Sequence, residues 1–182
     1  MIQINGMAHV NLTVTSFPAA VEFYEQLLPF LGLQKVHESD KFVYWVGGRT
    51  GIGIQPCDPK YGTENFQQAR VGLHHLCFRA RERKDVDLTA AFLRDMDAQI
   101  VRGPQTGDWA SGYYYVLFED PDKIRLEICH VPGGGVLAKD REVQPWIRLL
   151  RKVPSSSDAS RRHEMFSAGT SAMQGSCSPK LW

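Results

Sequence analysis

Two histidines and one glutamate, far apart in the sequence, form the set of side chains best suited to chemistry. His9 opens the segment HVNLTV, His75 lies in GLHHLCFRA, and Glu127 lies in KIRLEIC. Two imidazoles and one carboxylate can bind a divalent metal ion and leave positions open for water or substrate. The donor types suit Fe, Mn, Ni, Co or Zn, and such an ion would polarise two neighbouring oxygens of a substrate.

Strand alternation is what would bring these three residues together. On each predicted strand the large apolar side chains share one face, and His9, His75 or Glu127 lies on the other. Because the apolar faces should pack on helices, the three residues are predicted to converge on one concave polar surface. The same alternation predicts that His74 points away from His75. Gln55, in the closing strand GIGIQPC, aligns with Glu127 and is predicted to be a fourth ligand or a partner of metal-bound water.

The chain also repeats itself, which predicts its fold class. Residues 8–15, AHVNLTVT, are similar to residues 74–81, HHLCFRAR, and each segment is followed by a helical pattern and further short strands. Two βαβββ modules, residues 7–62 and 72–132, account for this pattern. We therefore predict an α+β fold in which the two modules form a curved mixed sheet.

Short stretches of the sequence predict where the second helix begins and where the domain ends. Asp85 or Asp87 can cap the second helix. The globular domain is predicted to span residues 1–140, followed by a short basic capping helix at 141–153. Residues 154–182 are rich in Ser, Gly and Ala and carry few large apolar side chains, so they are predicted to be a disordered tail.

Composition excludes several classes of function. The 182 residues carry a net charge of +1, which gives no electrostatic reason to expect nucleic acid or an anionic membrane as a partner. No apolar run is long enough to span a bilayer, and the N-terminus lacks a signal-peptide pattern. The four cysteines form no CxxC pair, so a cytoplasmic location is expected.

Four further residues are predicted to line a substrate pocket. Arg79 lies on the polar face of its strand and could pair with a substrate carboxylate or phosphate, or with a nearby acidic residue such as Glu119. Tyr113 and Tyr115 share one face of a hairpin strand, and Trp45 lies on the corresponding strand of the first module. These aromatic side chains could stack on a ligand or could simply pack in the core.

Two interpretations that involve no catalysis stay open at this point. An isolated strand histidine is more often a packed or surface residue than a ligand. A structural zinc site formed by His9, His75 and a cysteine is also compatible with the residue types.

At these residues the chain resembles the vicinal oxygen chelate superfamily. That group includes glyoxalase I, extradiol dioxygenases, methylmalonyl-CoA epimerase, fosfomycin-resistance proteins and bleomycin-binding proteins. The resemblance covers about residues 7–132 and rests on HVNLTV with FPAAVEFYEQLLPFLGLQ, on GLHHLCFRA, and on YYYVLFEDPDKIRLEI. It implies that His9, His75 and Glu127 are metal ligands and that Glu127 is the catalytic base. Gln55 lies where glyoxalase I has a second glutamate, and Lys123 lies where glycine is common.

The resemblance implies a metal-dependent enzyme of small-molecule metabolism, either a lyase or isomerase similar to lactoylglutathione lyase or a dioxygenase. Two alternatives are a non-catalytic protein that binds and sequesters a drug or antibiotic, and a thiol transferase of the fosfomycin-resistance type. The resemblance also implies a homodimer, in which His9 and Gln55 of one subunit meet His75 and Glu127 of the other.

Overall fold

The structure, a computed structural model, describes residues 2–4 and 6–133. The predicted capping helix at 141–153 and the predicted tail at 154–182 lie outside the described residues, as does the predicted domain boundary at residue 140. None of the helices within the described part of the chain is long and apolar enough to cross a membrane.

The first module is a βαβββ unit. Its elements are strand β1, helix α1 and strands β2, β3 and β4, with bounds His9–Val14, Phe17–Phe30, Gln34–Glu38, Val43–Gly47 and Thr50–Pro56. The sheet order is β1-β4-β3-β2. Strand β1 pairs with β4 in parallel, and the remaining neighbours are antiparallel.

The second module repeats this arrangement. Its elements are strand β5, helix α2 and strands β6, β7 and β8, with bounds Leu76–Arg79, Arg83–Asp95, Gln99–Thr106, Tyr114–Glu119 and Arg125–His130. The sheet order is β5-β8-β7-β6, and β5 pairs with β8 in parallel. The predicted α+β fold with two βαβββ modules is therefore confirmed. The structure forms it as two mixed sheets of four strands each.

The helix ends follow their local sequence. In α1, Ser16 is the N-cap residue, a proline follows in the first turn, and the chain leaves the helix through Gly32 at a φ of 85°. Helix α2 begins one turn earlier than predicted, because Glu82 is its N-cap residue and forms a capping box with Asp85. The prediction that Asp85 or Asp87 caps this helix is wrong.

The core lies between the helices and the apolar faces of the sheets. Strand β3 places Val43 and Trp45 in this core, and Trp45 is 0% exposed. Phe42 and Tyr44 occupy the opposite, open face of that part of the chain. The prediction that Trp45 lines a pocket is therefore wrong. The segment FVYWV carries aromatic residues on both faces, so its sequence pattern did not decide which face was buried.

A buried polar contact joins the two modules. The Tyr24 hydroxyl, on α1, donates a hydrogen bond of 2.8 Å to Oδ2 of Asp120, in the turn between β7 and β8. The backbone N–H and the hydroxyl of Thr15 both donate to Oδ1 of Asp122 in the same turn. The rings of Phe30 and Phe92 stack between the two helices at 4.1 Å. We call the hydrogen bonds of Thr15 and Tyr24 to these two aspartates the module clamp.

Lys123 completes the turn that carries the clamp. Its φ is 66°, a conformation that glycine adopts at no steric cost and lysine does not. The turn is nevertheless well bonded, because Oδ1 of Asp120 accepts hydrogen bonds from the N–H groups of Asp122 and Ile124 at 2.9 and 2.8 Å. Three backbone or side-chain donors therefore hold the carboxylate of Asp120 in the protein interior.

Candidate functional site

The second module brings His75 and Glu127 together. His75 lies directly before β5, Glu127 lies on β8, and the imidazole Nε2 is 3.7 Å from the carboxylate Oε2. Glu127 is 7% exposed, which is unusual for a carboxylate unless it is paired. When two donor atoms bind the same cation at about 2.1 Å, the two atoms lie roughly 3–4 Å from each other. The spacing of these two side chains therefore fits a divalent metal ion.

Tyr113 holds the other oxygen of the same carboxylate. Its hydroxyl donates a hydrogen bond to Oε1 of Glu127, which leaves Oε2 directed toward His75. Partial burial and this hydrogen bond raise the pKa of Tyr113 well above its ordinary value. The phenol therefore keeps its proton and donates a hydrogen bond to Glu127. The prediction placed Tyr113 in a substrate pocket, and the structure gives it a direct contact with Glu127.

Two cysteines complete the surroundings of Glu127. Cys77 donates a long hydrogen bond, 3.6 Å, to Oε1 of the carboxylate, and its sulfur lies near that of Cys129, both cysteines being free thiols. This thiol–thiol contact raises the pKa of Cys77 and lowers the pKa of Cys129. The sulfurs and a carboxylate oxygen all lie within 4.8 Å of one another. The sequence analysis left open only a structural zinc site that combined a cysteine with His9 and His75, and it did not predict that Cys77 and Cys129 lie beside Glu127.

The two adjacent histidines do not diverge. Strand β5 begins at Leu76, so the alternation of a strand does not extend to residues 74 and 75. The rings lie 5.0 Å apart with their Nδ1 atoms at 2.7 Å, and Gln68 contacts the His74 ring. Burial, followed by the nearby His75, lowers the pKa of His74. The prediction that His74 points away from His75 is therefore wrong, and His74 supports the ring of His75.

The strand register changes the interpretation of Gln55. Cys77 lies opposite Glu127 in the second module, and its counterpart Asn11 lies opposite Gly53 in the first. Gly53, not Gln55, therefore occupies the place equivalent to Glu127. Gln55 lies two residues further along and donates a hydrogen bond of 3.1 Å to Thr13. The alignment of Gln55 with Glu127 is wrong by two residues, which leaves the first module without a carboxylate at this position.

His9 lies apart from the other two predicted ligands within the chain. It is exposed at the start of β1, where its ring meets Tyr44 edge-on at 6.4 Å. Among residues 2–4 and 6–133, no hydrogen bond or ion pair joins His9 to His75 or Glu127. The one group of three potential metal donors in this part of the chain does not include His9. One chain therefore does not assemble the predicted triad.

The remaining predicted pocket residues lie on the open face of the second module. Arg79 is exposed and lies opposite Cys129 on the neighbouring strand, while Glu119 pairs with Arg125 at 3.2 Å. Tyr115 lies beside Tyr113, with ring centroids 5.6 Å apart. The predicted alternative that Arg79 pairs with Glu119 is therefore wrong.

An aromatic surface on the first module escaped the sequence prediction. The rings of Phe42 and Tyr44 stack at 5.8 Å and cover Gly51 and Gly53 of β4, where a Cβ atom would collide with them. This surface, which we call the aromatic face, continues to His9. The alternating glycines of GIGI could have revealed it, because they leave room for rings from a neighbouring strand.

Comparisons with known proteins agree with this architecture. Residues 6–128 match the family model of the Glyoxalase/Bleomycin resistance protein/Dioxygenase superfamily. The uncharacterized protein YqjT of Bacillus subtilis (strain 168) is 28% identical over 125 residues, which are 67% of this chain and 96% of that protein.

Solved structures show the same fold. A glyoxalase candidate from Bacillus halodurans is 27% identical with a TM-score of 0.64, over 70% of this chain and 96% of the other. Lactoylglutathione lyase from Agrobacterium tumefaciens is 20% identical with a TM-score of 0.54, over 70% of this chain and 95% of the other.

Proposed function

Since the chain belongs to the Glyoxalase/Bleomycin resistance protein/Dioxygenase superfamily, we propose that it is a metal-dependent enzyme acting on a small substrate with two adjacent oxygen atoms. The observation that carries this proposal is the pairing of His75 with Glu127, whose donor atoms are separated by 3.7 Å. The preferred reactions are those of a glyoxalase-like lyase or isomerase, or of a dioxygenase.

The metal ligands would be His75 and Glu127 of one chain and His9 of a second copy. The separation of His9 from the other two within a chain supports a site shared across a homodimer. A divalent ion bound there would polarise the substrate oxygens as a Lewis acid. Gln55 would remain outside the coordination sphere, since the strand register places Gly53 at the equivalent position.

Glu127 would act as the proton acceptor. Tyr113 donates to Oε1, so the carboxylate keeps one orientation and presents Oε2 toward the site. An isomerase of this design takes a proton from a carbon beside a carbonyl group and returns it to the neighbouring carbon, so the base needs a fixed position. The exposed Arg79 and Tyr115 are suited to bind an anionic or aromatic part of the substrate.

Metal analysis tests the proposal most directly. Purified full-length protein loaded separately with Mn²⁺, Ni²⁺, Fe²⁺ or Zn²⁺ should retain about one ion per site, and His75→Ala should lose it. His37→Ala is the control, because His37 lies on β2 of the first module, where its ring contacts the Phe42 ring. Turnover should then be measured with methylglyoxal plus glutathione, with a catechol, and with fosfomycin plus a thiol. Retention of no ion by the wild-type protein would refute the proposal.

Mixing two inactive variants tests the shared site. His9→Ala and His75→Ala should each be inactive, whereas a mixed dimer has one site in which both histidines are intact. After subunit exchange, about a quarter of the wild-type activity should return. Recovery of no activity by mixed dimers that have been shown to form would exclude the two-chain arrangement.

A second candidate function is binding of an aromatic molecule without catalysis. The observation that favours it is the aromatic face, where Phe42 and Tyr44 stack over the glycines of β4. Binding measured by calorimetry with a planar aromatic antibiotic should then be lost in Tyr44→Ala and unchanged in His75→Ala. Loss of binding in His75→Ala would instead assign the ligand to the metal site.

A further inference from the structure

Glu127 belongs to a second group of donor atoms, and this group is complete within one chain. Cys77, Glu127 and Cys129 each contribute one atom, and the three atoms lie within 4.8 Å of one another. The parallel pairing of β5 with β8 explains why they meet. Cys77 is opposite Glu127, Cys129 is opposite Arg79, and all these side chains project from the same face of the sheet. The rigid backbone of two neighbouring strands therefore sets the spacing.

The chemistry of the three donors differs from that of the His-His-Glu set. Two sulfurs bound to one Zn²⁺ at about 2.3 Å lie at most roughly 4.6 Å apart, so small side-chain rotations would bring these sulfurs onto one ion. The Cys77 sulfur already lies 3.6 Å from Oε1 of Glu127. We propose that Cys77, Cys129 and Glu127 bind a thiophilic divalent cation, such as Zn²⁺ or Cd²⁺, in each single chain.

A fourth donor is available beside this thiol site. Nε2 of His75 lies 3.7 Å from Oε2 of Glu127, so the imidazole can complete a tetrahedral set after a modest movement. Cys77 is exposed, which gives a cation a direct path to the sulfurs, whereas Cys129 and Glu127 are buried beneath it. The site thus combines two soft ligands, one carboxylate and one imidazole, a combination that selects Zn²⁺ or Cd²⁺ over Mn²⁺.

Sharing of Glu127 makes the two donor sets mutually exclusive. The His75 imidazole and the Glu127 carboxylate would both serve either set, and one imidazole Nε2 binds a single ion, so one chain binds one cation at a time. Thiophilic cations should therefore displace Mn²⁺ rather than bind beside it. The thiol site uses neither His9 nor a second copy, so it can exist whether or not the proposed enzymatic function is correct.

Cadmium titration of reduced, metal-free, full-length protein tests the thiol site. Thiolate ligation of Cd²⁺ produces an ultraviolet charge-transfer absorption, which should saturate at one Cd²⁺ per chain. Cys77→Ser and Cys129→Ser should each reduce this absorption to about half or less, since it scales with the number of thiolate ligands, and weaken Cd²⁺ binding by more than about 100-fold, beyond the effect of removing an outer-shell partner. The matched control is the double variant Cys57→Ser/Cys177→Ser, which removes both other cysteines of the chain.

Two comparisons make the outcome decisive. Cys77 is exposed, so Cys77→Ser tests the proposal even if the buried Cys129→Ser variant does not fold. His9→Ala should keep the full cadmium absorption, although it should lose the manganese site of the proposed function. Absence of the absorption in wild-type protein, or an undiminished absorption in folded Cys77→Ser, would overturn the thiol site. Neither result would bear on Mn²⁺ binding through His75.

Discussion

Replacement of Tyr24 by phenylalanine should destabilise the protein by an amount that depends on pH. Tyr24 is 1% exposed and its hydroxyl donates to Asp120, which is 5% exposed, across the two modules. Burial raises the pKa of Asp120 to about 6, and the bond from Tyr24 keeps that pKa from rising further. The Tyr24→Phe substitution removes this donor and leaves the aromatic ring in place.

The size of the effect follows from the charge of the acceptor. Above about pH 6 the carboxylate of Asp120 is ionised, and loss of a hydrogen bond to a charged group should cost about 1.5–3 kcal/mol. Below that pH the carboxyl is protonated, and loss of a neutral hydrogen bond should cost about 1 kcal/mol. The free-energy difference between wild type and variant should therefore grow as the pH rises from 5 to 8.

The stability of the wild-type protein should also depend on pH, because of Asp120. Since folding raises the pKa of Asp120, its protonated form stabilises the native state, and this contribution is lost as the pH rises through about 6. Tyr24→Phe should raise the pKa of Asp120 again and shift that loss to higher pH. Urea unfolding at several values between pH 5 and 8 measures both effects.

Tyr114→Phe is the matched control for this prediction. Its hydroxyl also donates to an aspartate, at 2.7 Å, but the acceptor Asp87 is exposed and lies within the same module. The loss should be about 1 kcal/mol or less and constant over the same pH range. An equal loss at pH 5 and pH 8 for Tyr24→Phe would refute the ionised, buried acceptor at the module clamp.

Two further predictions concern the core and Glu127. Trp45→Ala should lower the free energy of unfolding by about 3–5 kcal/mol, since Trp45 is fully buried, whereas Val46→Ala on the exposed side of the same strand should cost under about 1 kcal/mol in urea unfolding. Tyr113→Phe should weaken Mn²⁺ binding about 10- to 100-fold in calorimetric titrations, because Glu127 loses its orienting donor, and Tyr115→Phe should leave it unchanged. Equal effects in either pair of variants would contradict the corresponding assignment.

The fold could be predicted from the sequence because the two halves of the chain repeat the same pattern of strands and helix. Two similar strand–helix patterns predicted two βαβββ modules, and alternation assigned Glu127 to the non-helical face, where the structure brings it to His75. The module clamp was not predicted, since contacts between residues as distant as Tyr24 and Asp120 depend on how the modules dock. The resemblance places Lys123 where glycine is common. Its positive φ, a conformation that favours glycine, agrees with that.

The errors in the predicted site have local physical causes. The sequence prediction aligned Gln55 with Glu127 because the two residue types are similar. The pairing of β4 with β1 shows instead that Gly53 is the residue equivalent to Glu127. The pattern around Trp45 has aromatic residues on both faces, so burial could not be decided from alternation. His74 and His75 precede strand β5. Side chains alternate between two faces only where the backbone is held in a strand, so alternation did not apply to these two residues.

The glycines of β4 make the two halves of the repeat chemically unequal. A molecule held between the aromatic face of one module and the Glu127 region of another would have flat hydrocarbon rings on one side and a proton acceptor on the other. Such a cleft would orient a ligand, with its flat apolar part against the rings and its polar part toward the carboxylate. Gly51 and Gly53, which leave room for the rings of Phe42 and Tyr44, thus make one module of a repeated fold apolar where the other carries a carboxylate.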